Sequence, residues 1–91
     1  MQDTSSKNLH LTKCVAEIIR QTRLKQTGLS VTKFAESYGI DKSKVLRAEK
    51  AQVHSQLITI WQIANALGMK CSELIALVEE QLGEDFTLID E

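Results

Sequence analysis

No proline interrupts the 91 residues, and there are only four glycines: Gly28, Gly39, Gly68 and Gly83. Glycine ends a helix readily because it takes the left-handed conformation at no side-chain cost. Each of the four follows a run with apolar residues at helical spacing. The pattern predicts an all-α fold of short-turn-linked helices.

From Leu9, the residues Leu11, Cys14, Val15, Ile18 and Ile19 form one stripe. A first helix is expected to run to about Lys25, started by Asn8 or Thr12 as cap and stopped by Gly28. Ser30 caps a second helix of about eight residues, with Val31, Phe34, Ala35 and Tyr38 on one face, and Gly39 ends it. Asp41 caps a third, spanning 41–50, with Val45 and Ala48 inward. Leu57, Ile60, Trp61, Ala64 and Leu67 place a fourth helix ahead of Gly68, with Trp61 assigned to the core. A fifth runs from about Cys71 or Ser72 to Leu82, stopped by Gly83. The segment after it, "EDFTLIDE", alternates Phe86, Leu88 and Asp90 against Thr87 and Ile89. It reads equally as a short strand, a docking arm or a loose tail.

Ninety-one residues make one domain with a modest core. Residues 1–8, polar and terminal, are expected to be a disordered tail. Residues 9–82 form the domain proper and 83–91 a C-terminal extension. No apolar run has the length of a membrane span, and the polar opening lacks the apolar segment of a secretion signal. A cytoplasmic protein is therefore expected. Cys14 and Cys71, the two cysteines, each sit in an apolar helical pattern and are expected to be free and buried. Without clustered histidines they make no zinc site. No nucleophile–base set, carboxylate pair or phosphate-binding glycine loop is present, so no enzyme and no cofactor is expected.

Charge is divided unevenly. Residues 1–56 hold ten Lys/Arg and five Asp/Glu, whereas residues 57–91 hold one Lys and seven Asp/Glu. The balances of +5 and -6 leave the chain at -1. Such a split points to one side that faces a polyanion and one that does not.

The second and third helices carry the function. Two short helices meeting steeply need a small residue at their crossing, a turn residue tolerant of positive φ, and an apolar residue facing back. Ala35, Gly39 and Val45 supply these at helix-turn-helix spacing, within residues 31–50. "LSVTKFAESYGIDKSKVLRAEK" resembles the helix-turn-helix of the Cro/C1-type (XRE) family, and "LITIWQIANALGMKCSELI" resembles its fourth helix, glycine stop and fifth helix. The resemblance covers Val15 to Leu77. It implies a compact five-helix, lambda-repressor-like domain that binds duplex DNA, usually as a homodimer on a palindromic operator.

In such a motif the N-terminal part of the third helix enters the major groove. Here that part is Lys42, Ser43 and Lys44, with Arg47 one turn later. Lys and Arg donate to guanine O6 and N7, and Ser accommodates several bases. In the family, base contacts fall where Lys42, Ser43 and Arg47 stand. Its phosphate-binding glutamine is replaced by Val31, leaving the backbone amides there and the polar Thr32 and Lys33. Lys50, Gln52 and His54 follow the third helix, where the family's loop lies along the DNA backbone. The family often has glycine where Ala51 stands and proline where Ser55 stands. It also often joins an arginine late in the first helix to a glutamate late in the third, which here are Arg23 and Glu49.

The acidic fifth helix, 72–82, and the segment Phe86–Ile89 after it read equally as a dimer interface and as the completion of the monomer's own core. The leading expectation is a sequence-specific DNA-binding transcriptional regulator, a repressor of phage, plasmid or bacterial type. Two alternatives stand beside it: an antitoxin that also masks a partner protein, and a protein-interaction module that has lost DNA binding.

Overall fold

The computed structural model describes residues 2–51 and 56–89. These form five helices: α1 Gln2–Gln26, α2 Val31–Tyr38, α3 Lys42–Glu49, α4 Leu57–Ala66 and α5 Cys71–Leu82. No strand occurs among the described residues. Helix α1 is the spine. It packs against α5 on one side and α3 on the other, while α2 lies on α3 and α4 bridges α3 and α5.

The core is built where the helical stripes meet. Ile19, Phe34, Val45, Ile63 and Leu74 are its fully buried large side chains. One residue comes from each helix, so all five elements share a single apolar interior. Cys14 and Cys71 are free and buried in it. The Cys14 thiol lies 3.8 Å from the Val78 carbonyl, and burial pushes it above its ordinary pKa.

The boundaries of α2 and α3 follow the expected caps, and α5 starts at Cys71 behind Lys70 and ends at the expected Gly83. The start of α1 does not match its expected cap. Residues 2–8, expected as a loose tail, continue the first helix to Gln2. Nothing in that segment breaks a helix, and the other end of the chain returns to it. Lys7 Nζ donates to the Ile89 carbonyl at 3.0 Å, and the rings of His10 and Phe86 lie 5.8 Å apart. The segment after α5 is therefore a docking arm, neither strand nor free tail. Thr12 is not a cap: its hydroxyl donates to the Asn8 carbonyl at 2.8 Å inside the helix.

Helix α4 also differs from its expected register. Its buried residues are Thr59, Ile60, Ile63 and Ala64, continued by Leu67. Trp61, expected in the core, is 53% exposed, and Leu57 is 65% exposed. The sequence of α4 is apolar almost all round, so two stripes at helical spacing compete. The stripe through Ile60, Ile63, Ala64 and Leu67 wins because it faces α5.

Gly39 tests the turn between α2 and α3. It adopts φ +67° and ψ 32°, and its amide donates to the Ala35 carbonyl. A Cβ there would meet nothing within 4 Å. The cost of Gly39→Ala is therefore backbone strain, roughly 1–2 kcal/mol, with no clash added. Urea denaturation should show that loss without a change in slope.

Candidate nucleic-acid interface

The candidate site is the α2–turn–α3 unit, and its rigidity begins with local hydrogen bonds. Ser30 Oγ accepts the Lys33 amide at 3.2 Å. Asp41 Oδ1 accepts the Ser43 amide at 2.8 Å. Both caps satisfy donors that a helix end otherwise leaves open. Phe34 and Ala35 bury one face of α2, and Ile40 plugs the turn. Val45 and Ala48, 0% and 2% exposed, fasten α3 to the core.

With that face fixed, the rest of α3 turns outward. Lys42, Ser43, Lys44, Arg47 and Lys50 are all exposed, and Leu46 is half-buried among them. Ser43, Arg47 and Lys50 stand at i, i+4 and i+7, which puts them in one row away from Val45 and Ala48. Lys42 and Lys44 flank the row on opposite sides. The structure thus brings the four expected base-contacting residues onto one exposed surface.

The acids of this unit are largely withdrawn. Asp41 is engaged as the cap. Glu49 faces inward, where Arg23 Nε donates to its Oε2 at 2.6 Å and Arg23 Nη2 to its Oε1 at 2.9 Å. The two side chains are 7% and 5% exposed. Arg23 Nη1 donates in addition to the Leu29 carbonyl. One guanidinium therefore ties α1, the segment entering α2, and the end of α3. Glu36 is left as the exposed carboxylate without such a role, against five exposed cations from Lys33 to Lys50.

The expected phosphate-contacting residues divide. Thr32 and Lys33 are exposed at the start of α2, and Lys50 caps the end of α3. Val31 is half-buried and packs against the core. Only its backbone amide, with that of Thr32, lies ahead of the first intrahelical bonds. Gln52 and His54 lie outside the described residues. Ala51, where the resemblance leads to glycine, takes φ +56°. That left-handed conformation is the one glycine adopts at lower cost.

Two features escape a reading of the sequence. One is the Leu29 carbonyl as third partner of Arg23, for which no sequence signal exists. The other is the outer stripe of α4, where Ile58 and Trp61 are 70% and 53% exposed. Its signal was available: no charged residue occurs from Leu57 to Ala66. Compared with protein-family models, curated proteins and solved structures, the chain matches none.

Proposed function

We propose that the chain binds duplex DNA sequence-specifically and regulates transcription, acting as a repressor of the Cro/C1 type. The observation that carries this reading is the α3 surface. Helix α3 is anchored by Val45, Ala48 and the Glu49–Arg23 pair, and it offers Lys42, Ser43, Lys44 and Arg47 outward. A helix held this way enters the major groove with little left to order on binding. Lys33, Lys50 and the amides at the start of α2 are suited to the flanking phosphates. The chemistry is binding, with no catalytic step and no cofactor.

A single α3 reads only a few base pairs, so the reading includes a homodimer on a palindrome. In a two-fold contact the same patch of both copies meets itself. The outward face of α5 carries Glu73, Glu79 and Glu80, so such a contact would bring acids against acids. The outer stripe of α4, Ile58, Trp61, Gln62 and Asn65, is exposed and uncharged. It is the better face for pairing two copies than the α5 and tail surface that charge balance alone points to.

Selection of bound fragments from random duplex DNA at low salt tests the whole reading. The expected product is a palindrome whose half-sites are centred about 10 base pairs apart, or a multiple of that. Trp61→Ala should then weaken binding to the palindrome and leave the half-site preference unchanged. If no duplex is enriched, the proposed function is wrong.

A further inference from the structure

A groove of about 540 Å³ runs between the first half of α1, the start of α4, α5 and the docking arm. Neither α2 nor α3 lines it. Its floor and walls include Leu11, Val15, Ile75, Leu82, Phe86 and Leu88. The groove reaches the edge of the core at Ile60 and Val78, and Leu57 and Leu88 stay exposed along it. Glu79 stands at its edge and also lines an adjoining hollow of about 450 Å³, together with Glu80 and Glu84. An apolar trough therefore meets an acidic rim. The nearby cation Lys7 is engaged with the Ile89 carbonyl, and Lys70 stands at the opposite end of α5.

We infer that this groove docks an amphipathic, cationic helix of a partner protein. Apolar side chains of such a helix at i, i+3, i+4 and i+7 would enter the trough. Its Lys or Arg residues, on the flank, would meet Glu79, Glu80 and Glu84. Residues 1, 52–55 and 90–91, which lie outside the described part of the chain, contain no Lys or Arg. A second copy placed symmetrically on the groove would bring its own acidic rim against this one. The cationic helices of a second copy, α1 and α3, turn their apolar residues into their own core, Cys14, Ile18 and Ile19 in one and Val45 and Ala48 in the other. The inference does not depend on DNA binding, since the groove and α3 share no residue.

The test uses the full chain and a labelled synthetic helix of about four turns, built from Leu and Lys with Leu at helical spacing. Fluorescence anisotropy should show binding to this peptide. It should be at least roughly tenfold weaker for a scrambled peptide of the same composition and for a Leu/Glu peptide of the same pattern. Leu88→Lys should weaken it by a similar factor, as should Leu57→Lys. Leu88 is 40% exposed and Leu57 65%, so both variants keep the core. Replacing Glu79, Glu80 and Glu84 by Gln should weaken binding and flatten its salt dependence. The Lys42→Ala/Arg47→Ala variant should bind the peptide as the parent does, which separates this inference from the DNA reading. Equal binding of patterned and scrambled peptides would reduce the groove to a sticky acidic surface and overturn the proposal. So would self-association, seen by sedimentation, that Leu88→Lys abolishes.

Discussion

Glu49→Ala is expected to cost about 3–5 kcal/mol of folding stability, because it leaves the Arg23 guanidinium buried without its counter-charge. A domain of this size has only about 5–15 kcal/mol to lose. The variant should therefore lose a third or more of a typical stability and melt well below the parent. Arg23→Ala should be at least as damaging, since it strands the Glu49 carboxylate and also leaves the Leu29 carbonyl without its side-chain donor. Arg23→Lys keeps the charge but cannot make the two-pronged contact and reach Leu29 together, so it should recover only part of the loss. Replacing both residues by apolar ones of similar size, Arg23→Met with Glu49→Leu, should return most of the stability. Its value lies in what it separates. If the pair matters for holding α3 at its angle, the double variant will fold and still bind duplex DNA less well. Urea denaturation followed by circular dichroism measures the first part. A loss under about 1 kcal/mol for Glu49→Ala would mean the pair behaves as a solvated surface bridge.

The parts legible in the sequence are those decided locally. Ser30, Gly39 and Asp41 each settle a helix end with their own side chain or lack of one, and α2 and α3 lie where they say. The inward position of Val45 and Ala48 followed from helical spacing, and with it the outward position of Lys42, Ser43, Lys44 and Arg47. The start of α1 was not legible, because nothing between Gln2 and Asn8 is a stop signal. Its partner is the docking arm about eighty residues away: Ile89 reaches Lys7, a separation of 82. The register of α4 was not legible for the opposite reason. Too many of its residues are apolar, and hydrophobic spacing cannot choose between Trp61 and Ile63 without knowing where α5 lies. The Arg23–Glu49 pair was legible only through the family resemblance. Charge balance identified an acidic half correctly, yet it could not show that the acids of α5 border an apolar groove.

Duplex binding should fall steeply with salt. A protein that neutralises about four phosphates should lose roughly 10²-fold in affinity between about 50 and 200 mM salt. The candidates are Lys33 and Lys50, doubled by a second copy, while Thr32 and the amides at the start of α2 add phosphate contacts without charge. Lys33→Ala and Lys50→Ala should each weaken binding to all sequences alike and lower the salt slope by about one unit for every phosphate left unneutralised. Arg47→Ala should behave differently. It stands in the outward row of α3 between Ser43 and Lys50, and its loss should cost about 1–3 kcal/mol on the preferred site and relax preference at one base position. Lys42→Ala should do the same at another position, since Lys42 lies on the flank of that row. None of these side chains touches the core, so stability should stay within about 0.5 kcal/mol of the parent. Uniform weakening by Arg47→Ala would reassign it to a phosphate. A flat salt response would remove the electrostatic basis of the DNA reading, since exposed Lys and Arg facing phosphate cannot bind without releasing counterions.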